Sequence, residues 1–141
     1  MITYTNHMTP EEYLYLREAV DWKKLSRGQA ERGLENATYL VVAREGGKAV
    51  GMARALFDFG YTAYLHDVIV HPDYQRKGIG TQLVNNVLSW LDDHVVEGEY
   101  MQYVVVAAKG KEDFYKRFGF VARPTDELGA GMTLRRNDVD G

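Results

Sequence analysis

The sequence predicts a mixed α/β (α+β) domain, and three observations carry that prediction. Residues 38–70 read as three segments of strand period joined by tight turns, which is an antiparallel meander. A segment of helical period follows, with Val84, Val87, Leu88 and Leu91 on a single apolar stripe. Residues 101–107 then form an apolar run fit for a buried strand. Strand, helix, strand in that order implies a parallel pair inside a mixed sheet.

The elements follow in order. Residues 1–6 alternate as a short strand. Thr9-Pro10-Glu11-Glu12 is a helix start: a capping hydroxyl, a proline at the first helical position, then acids on the positive helix end. Tyr13, Leu16 and Val20 continue it at helical spacing, and a second helix is expected over 26–34. The period then changes to that of strands at 38–44, 49–57 and 61–70, with Gly46-Gly47 and the 58–60 break as turns. After the helix and the 101–107 strand come a short helix over 112–117, a Gly119-Phe120-Val121 segment and a last strand near 131–135. With no repeat, linker or low-complexity stretch, residues 1–141 are expected to form one domain.

Composition narrows the function. Hydrophobic residues at 45% and charged ones at 26% give the globular balance. No apolar run is long enough to span a bilayer, and the first residues read as neither a signal peptide nor a basic transit segment, so a cytoplasmic protein is expected. Zero cysteines exclude a disulfide, a thiolate nucleophile and any cysteine-ligated metal. His7, His66, His71 and His94 have no ligand spacing, and no metal is expected. A net charge of -3 argues against a nucleic-acid partner, which needs a concentrated basic face. A homodimer is left open.

Chemistry concentrates after the third meander strand. In "HPDYQRKGIGTQL" two glycines, Gly78 and Gly80, stand at a helix start, although within a helix glycine costs roughly 1 kcal/mol against alanine. A strand feeding a glycine-rich turn and then a helix aims unpaired amides outward with partial positive charge, which makes an anion site. Bare glycines let the backbone approach a phosphate, and Arg76 and Lys77 add full charges. Neither common phosphate loop fits: a dinucleotide fingerprint needs glycine where Leu83 stands, and Gly-Lys-Ser/Thr occurs nowhere.

The string Val70-His-Pro-Asp-Tyr-Gln75-Arg-Lys-Gly78-Ile-Gly80 resembles the acetyl-CoA signature of the GNAT superfamily of N-acetyltransferases, Val-x-Pro-x-x-Gln/Arg-x-x-Gly-x-Gly/Ala. Phe114-Tyr115-Lys-Arg-Phe-Gly119-Phe120 is similar to that family's second element, Phe-Tyr-x-x-x-Gly-Phe, in the right order downstream. The resemblance covers essentially the whole chain. It implies a twisted mixed sheet flanked by helices, whose fourth and fifth strands splay apart, with acetyl-CoA as co-substrate between them. It further implies that the main chain of Val68, Ile69 and Val70 pairs with the pantetheine arm. The pyrophosphate would then rest on the amides of Arg76, Lys77, Gly78, Ile79, Gly80 and Thr81, beside Gln75.

The family role of general acid falls on Tyr115, a phenol suited to protonating a leaving thiolate. Many members carry an asparagine six or seven residues before that tyrosine; here Lys109 and Ala108 stand there, and Lys109 or Lys111 is the candidate replacement contact. The attacking amine must also lose a proton, and His66 and Asp67 in Leu65-His-Asp-Val-Ile-Val70 are the candidates. Asp67 matches an acidic position that handles the amine in polyamine-type members. A structural salt bridge is the other reading of Asp67, because a lone aspartate in a central strand is costly unless paired, and a satisfied structural histidine is the other, favoured reading of His66. A glutamate that some members place on the fifth strand is replaced by Tyr103. Acceptor choice in such folds comes from the first two helices and their loop. There Tyr13, Tyr15, Trp22, Glu11, Glu12, Glu18 and Asp21 either line a pocket for a small aralkylamine or polyamine-like amine, or form core and solvated face. A protein N-terminus or lysine is the alternative acceptor, and an acyl-CoA-binding sensor without catalysis the second alternative.

Overall fold

A computed structural model describes residues 1–138. Its elements run β1 (Ile2–Thr5), α1 (Pro10–Ala19), α2 (Arg27–Glu35), β2 (Tyr39–Glu45), β3 (Lys48–Phe57), β4 (Thr62–Val70), a 3-10 turn (Pro72–Tyr74), α3 (Ile79–Asp93), β5 (Gln102–Val105) and α4 (Glu112–Lys116). The strands form one five-stranded sheet in sequence order. β1 to β4 pair antiparallel. β5 joins where β4 begins: the Gln102 N–H donates to the Tyr61 carbonyl at 2.7 Å. The chain divides into two compact units, Met1–Val104 and a second that begins at Val105.

Local chemistry sets the helix starts. At α1 the Thr9 hydroxyl accepts from the Glu12 N–H (3.1 Å) while the Glu12 carboxylate accepts from the Thr9 N–H (3.0 Å), a reciprocal cap that satisfies two end amides. Ser26 caps α2 through the Gln29 N–H. In the first unit, α1 and α2 bury Tyr13, Leu16 and Ala30 against Val42, Met52 and Ile69 of the sheet. The stripe of α3, with Leu83, Val84, Val87 and Leu91 all buried, packs on β2, β3 and β4. Gly51 permits that approach: a Cβ there would lie 3.0 Å from the Ile69 carbonyl oxygen and 3.2 Å from Leu83 Cδ1.

One irregularity matters for function. Met52 pairs with Ile69, yet Arg54 pairs with His66, so Ala53 alone faces both Asp67 and Val68. This is a β-bulge, and Asp67 takes it in the left-handed region at φ +50°.

The last expected strand does not form. Among the described residues no strand follows α4, and 131–135 carries no ladder. Met132 and Leu134 do alternate, but at 92% and 78% exposure they have no face to cover. Alternation makes a strand only when a partner and a buried face are supplied. The same residues show no helix long and apolar enough to cross a membrane.

Candidate active site

Three structural features of the first unit carry the sequence-predicted residues from His66 to Thr81. The first is the start of α3. Gln75 donates its side-chain amide to the Val70 carbonyl (2.9 Å), which folds the connection back over the end of β4. Arg76 and Gly78 both adopt the left-handed region, at φ +64° and +81°. Gly78 is the N-cap of α3 and no side chain caps that end. The first bond that closes onto the helix is Gln82 N–H to the Gly78 carbonyl, at 3.1 Å. The amides of Ile79, Gly80 and Thr81 therefore precede the first N–H that has a helical acceptor, that of Gln82, and point along the axis, where the helix end is positive. No atom lies within 4 Å of where a Gly78 Cβ would stand, so its glycine serves backbone conformation rather than packing.

The second feature is the β4 segment beside it. Val68, Ile69 and Val70 follow the bulge, with Ile69 and Val70 paired to Met52 and Gly51 on one side. The bond that brings in β5 lies at the opposite end of β4, at Tyr61.

The third is Asp67, 3% exposed and surrounded by donors. Its Oδ2 accepts the Tyr13 phenol and the Arg54 Nε (2.6 Å), and its Oδ1 accepts Arg17 Nη1 at 3.2 Å. His66 Nδ1 stands 3.1 Å from Oδ1, inside ion-pair range, yet is buried without an aligned hydrogen bond. Burial would raise the Asp67 carboxyl, but His66, Tyr13 and Arg54 override it and hold it well below the usual carboxylate range. A carboxylate so engaged is a poor proton acceptor. The structure thus favours the salt-bridged reading of Asp67 over a direct encounter with the amine. His66 differs, because 37% of its side chain is exposed.

The acids expected to line an acceptor pocket are also spoken for. Glu11 pairs with Arg27 (2.9 Å) and Glu12 with Arg44 (2.7 Å), leaving Glu18 and Asp21 on the exposed side. Tyr13 is core, its phenol pushed up to about 12 by burial and then by Asp67. Tyr15 stacks on His71 at 5.6 Å. Tyr103, where a family glutamate would stand, donates to Asp92 at 2.8 Å, and burial helps push it up to about 12.

Tyr115 and Lys109 belong to the second unit. Tyr115 lies on α4, buried between Phe114 (ring centroids 5.0 Å) and Phe120 (6.0 Å), and burial pushes its phenol up to about 12. Gly119, at φ +97°, makes the turn that returns Phe120 toward Tyr115. Lys109 is exposed in the turn closed by the Lys111 N–H and the Ala108 carbonyl. Arg17 and Arg54 were not legible as site residues: each is one of many arginines until the bulge brings Asp67 between them.

Comparison with known proteins agrees with this geometry. The sequence description of the Acetyltransferase (GNAT) family matches residues 4–120. A Staphylococcus aureus protein described as a probable acetyltransferase superimposes with a TM-score of 0.86 at 26% identity, over 96% of this chain and 100% of that one. An N-acetyltransferase called ycf52 in Pyropia yezoensis is 28% identical over 113 residues, 77% of this chain and 63% of its own length. A Glycine max histone acetyltransferase, TAP1, is 31% identical over 77 residues, 55% of this chain but 32% of its own. The chain thus spans less than two-thirds of these two relatives. With the first signature running from the bulged fourth strand into a glycine-led third helix, the second on α4, and the family match covering residues 4–120, the chain belongs to the GNAT acetyltransferase family.

Proposed function

We propose that this chain transfers the acetyl group of acetyl-CoA to a primary amine by direct attack. The observation that carries the reading is the uncapped, glycine-led start of α3, which follows the bulged β4 and a 3-10 turn. The residues there suit the co-substrate: amides from Arg76 to Thr81 for the pyrophosphate, Gln75 bracing the turn, and the main chain of Val68, Ile69 and Val70 for the pantetheine arm. Lys109 is assigned to the coenzyme from the second unit.

Chemically, a carbon–nitrogen bond forms as the carbon–sulfur bond breaks. His66 takes the proton that the amine gives up, and the Asp67 carboxylate lies beside it, 3.1 Å from Nδ1. Tyr115 gives a proton to the departing sulfur; a phenol at about 12 carries that proton at neutral pH.

The preferred acceptor is a small aralkylamine. A polyamine-like amine ranks second within this class, because Glu11, Glu12 and Asp67 are engaged by arginines and only Glu18 and Asp21 remain as exposed acids for a second ammonium. A protein N-terminus or lysine is the second reading, supported by the Glycine max relative named a histone acetyltransferase. The test is acetyl-CoA-dependent thiol release across aralkylamines, polyamines and peptides. Turnover of aralkylamines above spermidine is expected, and turnover of peptides alone would move the assignment to the second reading. Tight acetyl-CoA binding with no thiol release anywhere in the panel would make the chain a sensor.

A further inference from the structure

The segment between α1 and α2, residues 20–26, has no regular structure, yet it is fixed at both ends of one side chain. After α1 the chain reverses at Asp21, a non-glycine at φ +59°, with the Trp22 N–H returning to the Arg17 carbonyl at 3.0 Å. Arg17 then reaches across this reversal. Its Nε and Nη2 both donate to the Lys23 carbonyl (3.1 and 2.6 Å), while Nη1 donates to Asp67 Oδ1. The rings of Trp22 and Tyr13 lie 5.6 and 5.8 Å from its guanidinium carbon. Arg54 runs parallel to it, from Asp67 Oδ2 to the Gly33 carbonyl of α2.

We propose that Arg17 is a positioning residue for the acceptor. It locks the 20–26 loop, through the Lys23 carbonyl, to Asp67 of the bulge next to His66. The inference rests on the transferase reading above, in which His66 takes the acceptor's proton, and on the expectation that the loop between the first two helices borders that acceptor. The chemistry favours an arginine: separate nitrogens of one planar fork serve the main-chain carbonyl and the carboxylate, whereas the three donors of an ammonium all leave a single nitrogen and lack that span. Because the loop and His66 hang on adjacent atoms of one buried network, a loosened loop leaves the amine mispositioned while the coenzyme-binding end of β4 is untouched.

Arg17→Lys and Arg17→Met test this in a Trp90→Phe background, so that Trp22 is the sole indole. Lysine keeps a cation for Asp67 and is the variant expected to fold; methionine removes both arms. Acrylamide quenching of Trp22 is read first, since it needs no activity, and it should rise in each folded variant. The acceptor KM of Arg17→Lys should rise on the order of tenfold, as befits loss of one charge-assisted bond. Its kcat and its calorimetric acetyl-CoA affinity should stay within about twofold. Unchanged quenching would overturn the tether. Increased quenching with an unmoved KM, or a joint fall of kcat and coenzyme affinity, would reduce Arg17 to a fold-holding residue. If the parent acetylates no amine while quenching still rises, the transferase reading fails and this role fails with it, although the tether stands.

Discussion

Asp67 shows how one residue can be chemically conspicuous and yet act through others. An aspartate in the left-handed region of a buried bulge is tolerated because two guanidiniums and a phenol fill its coordination. Asp67→Asn keeps the shape and the tolerance of that backbone but strips the charge, leaving Arg17 and Arg54 facing each other. The expected cost is about 3–5 kcal/mol in denaturant unfolding. The pH dependence has a definite sign. Because the folded carboxyl is held below its unfolded value, its contribution is complete above about pH 4 and is lost as the pH falls through that value toward the folded one. The acid limb of the stability profile should flatten in Asp67→Asn. Unaltered stability with abolished turnover would return Asp67 to the substrate amine. Tyr115 invites the opposite experiment. Tyr115→Phe removes one oxygen and leaves the ring between Phe114 and Phe120, so packing survives and proton donation does not. The chemical step, read in single turnover, should slow by about 10²–10⁴ with acetyl-CoA affinity nearly unchanged. Full parent rate would return Tyr115 to the core.

Elements with local determinants were readable before any coordinates. Thr9 and Glu12 announce α1, Ser26 announces α2, and the Gly46-Gly47 turn sets the β2–β3 hairpin, because caps and turns are made by residues a few positions apart. The start of α3 was legible for the same reason: glycine is needed where φ is +81°. What could not be read is the bulge and its hub, which join Tyr13, Arg17, Arg54 and Asp67 across up to 54 positions of chain. Nor could the failure of 131–135 to pair be read, since Met132 and Leu134 carry the right alternation without saying whether a partner strand exists. The helix start yields its own test. Arg76 is already a non-glycine at positive φ, so Arg76→Ala changes charge with little change of backbone. Gly78→Val forces a branched residue into the left-handed region. Calorimetry should show Gly78→Val weakening acetyl-CoA binding far more than Arg76→Ala, whose charge is exposed and screened. The reverse order would shift recognition from the amides to the side-chain charges.

Across the whole molecule, burial is unevenly shared. Among the described residues every buried apolar side chain except Tyr115 lies in the first unit, whose sheet is covered by α1 and α2 on one set of residues and α3 on another. Residues 121–137 are almost wholly exposed and carry no helix or strand. Backbone that lacks both ladder and core opens at little free-energy cost, so protease sites there should be cut first. Trypsin makes the contrast sharp, because its targets occur in both settings. Arg135 and Arg136 are exposed beyond the last helix. Arg17 is buried and Arg54 is half-buried, each holding Asp67. Arg123 is followed by Pro124, a bond that trypsin does not hydrolyse. Brief digestion under native conditions should therefore trim the chain at Arg135 and Arg136, with mass spectrometry finding Arg17 and Arg54 intact until global unfolding. Early cleavage at Arg54 would mean that β3 opens independently of the rest of the sheet. The Asp67 network would then be too weak to position anything.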